Sequence, residues 1–233
     1  MSTRRRRRRV LSSGAEKWRT KKWLDMRLPD YIADQSIGQT PASDLTEVIG
    51  RTIDMSYMDI TNNFNDYNYY LKFKITKIVG NRAKTEFVGQ ELNRDYRKSQ
   101  IRNHRSQVEG VFNLTLKDNS RVRITAFAVT FSRAAHNTKK ELRKVIADKI
   151  EEIVTELTFP AFVNKVISYE LREEVFEPAD EVFPVKLFEI SKVKVLRLPE
   201  DRQIMDVDDL EVDEDTDLSA PETMDEDEEE DEE

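Results

Sequence analysis

The 233-residue chain has no cysteine, which removes disulfides and thiolate metal sites, and no apolar run approaches the ~18 residues a membrane helix needs. Its net charge of -8 combines two opposed regions: residues 1–200 carry 37 Lys+Arg against 27 Asp+Glu, and residues 201–233 carry one Arg against 19 Asp+Glu. A basic body attracts polyanions through its field and through counterion release, so the whole-chain pI near 5.1 is a poor guide to partners.

Residues 1–20 open with Arg4, Arg5, Arg6, Arg7, Arg8 and Arg9. Like charges at this density repel, and the stretch is expected to be a disordered arm that orders against phosphate, since guanidinium forks pair bidentately with phosphate oxygens. Val10-Leu11-Ser12-Ser13-Gly14 is too short and polar for a signal-peptide core, and a cytoplasmic protein is expected. Lys17-Trp18-Arg19-Thr20-Lys21-Lys22-Trp23 interleaves two indoles with four cations. That pattern suits base stacking flanked by phosphate contacts, and equally suits tryptophans that anchor the arm to the body.

A single globular domain is expected over 21–199. Asp30 to Ser43 reads as turns, and Val48 to Met58 as a strand bent at Gly50. Tyr69 to Val79 alternates with period two: Tyr69, Leu71, Phe73 and Ile75 on one face, Lys72, Lys74 and Thr76 on the other. Gly80-Asn81 makes a tight turn into a returning strand, Arg82 to Leu92. Asn93 to Arg105 is too polar and cationic for a strand and reads as a short helix or an excursion. Val111 to Leu116 and Arg121 to Phe131 form a second hairpin around Lys117-Asp118-Asn119-Ser120. Short turns and many aromatic and β-branched residues predict an antiparallel, barrel-like sheet.

The period then becomes helical. Leu142, Val145, Ile146, Ile150, Ile153, Val154 and Leu157 share one stripe, with Thr138 and Glu141 spaced as a capping box. Thr158 is placed to cap a second helix with Pro160 in its first turn. Leu171 to Phe183 is helical with a break predicted at Pro178, and Val185 to Leu196 is a final strand. The fold class is therefore α+β: an antiparallel β-barrel-like core with flanking C-terminal helices. Residues 200–233 are an acidic tail expected to be disordered, which RNA would repel and a basic protein neighbour would attract.

No catalytic constellation emerges. His104 and His136 are far apart and lie among cations, and the six glycines never cluster into a P-loop or dinucleotide fingerprint. No cofactor or metal is expected, nor a small-molecule substrate. Glu151-Glu152 and Glu173-Glu174 read as solvated helix faces. Cations instead recur on both hairpins, their connector and the arm, as many phosphate contacts on a folded RNA require. The residues expected to bind RNA are Arg4 to Arg9, Lys21, Lys22, Arg82, Lys84, Arg94, Arg97, Lys98 and Arg102. Arg121, Arg123, Arg133, Lys139 and Lys140 continue the series.

Several segments carry a family resemblance. They are Lys21-Lys22-Trp23, Ile37-Gly38-Gln39-Thr40-Pro41-Ala42, Ile49-Gly50-Arg51, the run Val79 to Leu92 (VGNRAKTEFVGQEL) continuing into Arg94-Asp95-Tyr96, Glu156-Leu157-Thr158-Phe159 and Lys192-Val193-Lys194-Val195-Leu196. In collinear order over about residues 17–197, the chain resembles the small-subunit ribosomal protein family S-one-e, also called S-three-A-e, of archaeal type. The resemblance implies a structural constituent of the small ribosomal subunit that supports translation and is not an enzyme. It implies binding to small-subunit rRNA at the platform near the mRNA exit, neighbouring ribosomal proteins, and mRNA as a further contact. The alternative is a free-standing nucleic-acid-binding or chaperone-like protein with an acidic tail. The dense arginine start and the acidic tail depart from the family's pattern.

Overall fold

The computed structural model describes residues 21–33 and 35–199; the arm 1–20 and the tail 200–233, both expected to be disordered, lie outside the described residues. In chain order the elements are β1 (Lys22–Arg27), β2 (Ser36–Ala42), β3 (Thr52–Ser56), α1 (Met58–Thr61), a 3₁₀ turn (Phe64–Asn68), β4 (Tyr69–Val79), β5 (Arg82–Leu92), α2 (Arg94–Gln100), β6 (Gln107–Thr115), β7 (Arg121–Thr130), α3 (His136–Thr155), α4 (Phe159–Ile167), α5 (Glu170–Val182) and β8 (Val185–Arg197). The architecture is α+β.

The sequence period is realised in β4, where Tyr69, Leu71, Phe73 and Ile75 are buried and Tyr70, Lys72, Lys74 and Thr76 are half-buried on the opposite side. Val79 pairs with Arg82 across a two-residue turn in which Gly80 has φ +58°, the φ pattern of a type II′ hairpin. Two stretches that read as non-strand are strands. β1 and β2 pair antiparallel from Lys22↔Ala42 to Arg27↔Ser36, and β1 runs parallel to β5 through Asp25↔Arg82 and Arg27↔Lys84. That parallel pair is an exception to the expected antiparallel sheet. The bent strand at Gly50 shortens to Thr52–Ser56, because Gly50 (φ +89°) lies in a turn whose N–H donates to the Ile75 carbonyl.

The expected barrel does not close. Among the described residues all eight strands belong to one sheet, with β4 joining β3 to β5; there β3 pairs only with β4, and β6 only with β7. The far edge of β5 is divided: β1 occupies its first residues and β8 pairs with Gly89–Glu91. The sheet thus forks at β5 instead of curling until its edges meet. Helix α3 packs beside β6, where Arg143 Nε donates to the Glu109 carbonyl at 2.8 Å, and the chain after it returns the Leu157 carbonyl to Lys117 N–H at 3.1 Å. An edge attended by a helix has less need of a strand partner.

The main core lies between the sheet and α3–α5, with Phe73, Phe87, Phe159, Phe162 and Phe188 at its centre. A smaller core of Leu24, Met26, Ala42, Val48, Ile75 and Ala83 lies beneath the β1–β2 arm of the fork. Leu142, Ile146, Ile150 and Val154 form the buried stripe of α3. The helix starts at His136, so Thr138 and Glu141 lie inside it and the expected capping box is absent. Thr158 does precede α4 but makes no side-chain cap. Asp118 of the β6–β7 turn accepts the Phe159 N–H instead, at 2.8 Å. α5 is continuous through Pro178, because Leu171, Val175 and Ala179 seat it in the core on both sides of the proline.

A buried polar chain joins strands and helices. The Asp66 carboxylate accepts from Thr61 Oγ1 and from Tyr169 OH, both at 2.7 Å. The Arg172 guanidinium lies 4.7 Å from the Tyr169 ring centroid and donates to Glu189 at 3.1 Å, and Glu189 also accepts from Tyr69 OH. Burial pushes the Tyr57 phenol up to about 12, with help from the Asp66 charge. Burial likewise raises Tyr69 and Tyr169, reinforced by Glu189 and Asp66 respectively.

At Gly89 an added Cβ would sit 2.4 Å from the Val193 carbonyl oxygen. Gly89→Ala is therefore expected to destabilise the protein by about 1–3 kcal/mol through forced backbone shifts, measured by chemical denaturation. A phenol whose folded pKa is raised contributes stability that is complete below pH ~10 and is lost as pH climbs through the folded value. In an ultraviolet absorbance titration, Tyr57, Tyr69 and Tyr169 should stay protonated above the ordinary phenol range and titrate only with alkaline unfolding. Ionisation of all seven tyrosines in one early step would contradict the buried chain.

Candidate nucleic-acid interface

The face of the sheet away from α3–α5 is built by strand register. One row crosses six strands: Asn113 (β6), Arg123 (β7), Lys194 (β8), Gly89 (β5), Lys72 (β4) and Asp54 (β3). The next row runs Val111, Thr125, Lys192, Glu91, Tyr70, Ser56. At ~4.8 Å between strands, each row spans roughly 24 Å. Toward β3 the charges alternate: Lys72 Nζ lies 3.4 Å from Asp54 and 3.2 Å from Glu91, and Lys192 Nζ lies 3.4 Å from the same Glu91 oxygen. Burial alone would raise the Glu91 carboxyl, but the two ammoniums hold it below its ordinary value. Toward β6 the face turns cationic: Arg123 and Lys194 of the first row are exposed, as is Arg121 two residues before Arg123 on β7, and Arg123 is steadied by the Asn113 amide at 2.8 Å.

The helical side has the opposite character. Residues 136–183 carry 7 Lys+Arg and 11 Asp+Glu, whereas 21–135 with 184–199 carry 22 and 14. A cleft of about 360 Å³ among α3, α4 and α5 is lined by Glu152, Glu156, Glu174, Glu177 and Glu181 with Lys149 and Lys165. The molecule is electrically polarised, with its excess of cations on the sheet side.

The residues expected to meet RNA fall into two groups. At the β4–β5 turn, Asp25↔Arg82 and Arg27↔Lys84 place exposed Arg82 and Lys84 beside β1, which begins with exposed Lys22 and Trp23 and is preceded by half-buried Lys21. Trp23 is 52% exposed, so it does not anchor the arm in the core. Arg94, Lys98 and Arg102, all exposed, lie beyond the other end of β5, on the order of 30 Å away at strand rise. Arg97 has a structural engagement: its guanidinium pairs with Glu109 at 3.3 Å and lies 5.9 Å from the Phe127 ring centroid. Arg4 to Arg9 lie outside the described residues.

The cationic row through Arg123 and Lys194 joins residues about 70 positions apart. β7's alternation signals the first, but Lys194 stands out only once β8 is known to lie between β7 and β5. His104 and His136 are exposed on separate elements. Among the described residues, no group of three or more His, Asp and Glu is placed to hold a metal ion, and no helix is long and apolar enough to cross a membrane.

A family model, described as the ribosomal S3Ae family, matches residues 11–199. The chain belongs to the ribosomal S3Ae family. The same relationship appears against individual proteins, each named "Small ribosomal subunit protein eS1". The chain is 38% identical to that of Saccharolobus islandicus over 185 residues, covering 79% of this chain and 89% of the relative. It is 37% identical to that of Saccharolobus solfataricus over the same extent, and 35% to that of Desulfurococcus amylolyticus over 184 residues, covering 79% and 86%. Membership in the S3Ae family makes the chain a ribosomal protein, a structural constituent and not an enzyme.

Trp23 and Leu24 are neighbours with opposite burdens, the first half out in solvent and the second 2% exposed in the smaller core. Trp23→Ala should change the unfolding free energy by less than about 0.5 kcal/mol, and Leu24→Ala should cost about 2–5 kcal/mol. A loss for Trp23→Ala comparable to that for Leu24→Ala, read in urea melts, would return the indole to an anchoring role.

Proposed function

We propose that this S3Ae-family protein is a structural component of the small ribosomal subunit in the cytoplasm, binding small-subunit rRNA at the platform near the mRNA exit and supporting translation. The single observation that carries the reading is the collinear match to small-subunit proteins over 79% of the chain. The platform position rests on the family resemblance. Residues 21–199 serve as one folded unit, flanked by the basic arm 1–20 and the acidic tail 200–233. The partners are rRNA and neighbouring ribosomal proteins, with mRNA near the exit as a further contact. Lys21, Lys22, Arg82 and Lys84 contact phosphates at one end of the sheet, with Arg4 to Arg9 extending that end. Arg94, Arg97, Lys98 and Arg102 act at the other, where Arg97 exchanges its bond to Glu109 for phosphate. Arg121, Arg123 and Lys194 on the open face are added to the set. Electrical polarity supports this orientation: the acidic helices turn away from RNA, toward solvent or basic neighbours.

Sedimentation of a tagged copy through sucrose gradients, at low and at moderately high salt, tests the reading. Stoichiometric residence in the small-subunit peak is expected in both. A salt-labile trace, with most protein in light fractions, would favour a free-standing nucleic-acid-binding protein. With purified protein, Gln at Arg121, Arg123 and Lys194 together should lower the log–log salt slope of RNA binding by roughly 2–3, at about 0.7–0.9 per phosphate contact. An unchanged slope would remove the open face from the interface.

A further inference from the structure

We propose that Phe64 and Tyr67, on the 3₁₀ turn between α1 and β4, form a stacking platform for unpaired RNA bases. The inference rests on the RNA-binding reading above and adds a site that the basic-residue pattern does not reveal.

Phe64 is 84% exposed, more than any other large hydrophobic residue among the described residues, and Tyr67 is 53% exposed. An aromatic ring left in water forgoes the burial energy that makes aromatics useful in a fold, so two in one short turn mark a candidate contact surface. Hydrogen bonds tie this turn to its surroundings. Asp66, between the two rings in sequence, is 5% exposed and is held by Thr61 Oγ1 and Tyr169 OH at 2.7 Å each. Its N–H also donates to the Asn63 carbonyl, and the preceding helix closes at Asn62 in the left-handed region (φ +55°). The buried carboxylate ties the turn to α1 and α5 while Phe64 and Tyr67 remain outside, so the backbone that carries the two rings is held in place.

The chemistry around the rings selects the occupant. Asn62 is an exposed amide, with donors and an acceptor suited to a base edge. The Asn68 carbonyl accepts the Asn93 N–H at 2.8 Å, which brings the start of α2, with exposed Arg94 and, one turn on, Lys98, next to the end of the aromatic turn. Asp59 and Asp95 are exposed carboxylates on the flanking helices, so the patch has no large net charge. Aromatic faces, an amide and a few cations, without a dense positive field, suit flipped-out bases of a single-stranded segment more than a duplex backbone.

The test compares full-length protein with the Phe64→Ala/Tyr67→Ala double variant, binding a single-stranded oligonucleotide and a duplex RNA of equal length across a salt series. Both side chains are exposed, so the variant should melt like the wild type. Stacking is worth about 1–3 kcal/mol per base, so single-strand affinity should fall at least tenfold. The salt slope should stay unchanged and duplex binding should move little. The Phe64→Tyr/Tyr67→Phe variant should bind like the wild type. Equal single-strand affinity of wild type and Ala variant would overturn the platform while leaving the RNA reading intact. An equal loss on duplex RNA would overturn base stacking in favour of a general surface effect. If the wild type binds neither RNA, the RNA reading itself fails. If the Ala variant binds RNA normally but is lost from assembled subunits, the rings belong to a protein neighbour and the platform is overturned.

Discussion

Three residues of β5 hold the sheet together. Gly89, Gln90 and Glu91 pair with Lys194, Val193 and Lys192, among the described residues the only seam through which β6–β7–β8 joins the rest of the sheet. The strands approach so closely there that position 89 has no space for a side chain: the Val193 carbonyl occupies it. Hydrogen bonding requires the approach, and the approach requires the glycine. On either side of the seam the buried Gln90 and Val193 face inward, while Lys192 and Glu91 form an ion pair outward. Core, ladder and outer charge row therefore meet at one place, and a displacement there would be felt by all three.

Forking at β5, rather than closing, produces a protein with two unlike sides. A closed barrel would have turned one face of every strand inward and curved the other into a convex exterior. An open sheet covered on one side by helices keeps a face whose side chains alternate with the core residues at the strand period. The helices absorb the carboxylates, and the sheet keeps the cations. Net charge conceals this arrangement because the contributions cancel, and what RNA would meet is the distribution.

Local period was legible in the sequence; partner choice was not. The β4–β5 hairpin follows from alternation and a glycine turn, and α3 from a stripe of Leu142, Ile146, Ile150 and Val154, because these signals are written within one segment. β1 and β2 were missed because their residues, among them Gly38 and Pro41, have poor strand propensity and are held by pairing with each other and with β5. The cap of α4 was sought at Thr158 and came from Asp118, forty residues earlier, which no local motif announces. The cationic groups of the candidate interface were visible as composition. Their separation into two ends of one strand, the pairing of Arg97 with Glu109 and the alignment of Arg123 with Lys194 depend on register and topology. The buried chain from Asp66 to Glu189 was equally silent, since Tyr, Asp, Arg and Glu at ordinary spacing carry no sign that they will share an interior.

The position of β8 has a consequence for the order of events during synthesis. It is the last described strand in the chain yet lies between β5 and β7. Until residues 185–197 have left the exit tunnel, the seam at Gly89 has no partner and the two halves of the sheet are unconnected. A nascent chain can form its hairpins early, because their contacts are local, but it gains the continuous face only when almost all of the sequence is present. The surface proposed to recognise RNA thus matures last, which delays its engagement with nucleic acid until the chain that bears it is nearly complete.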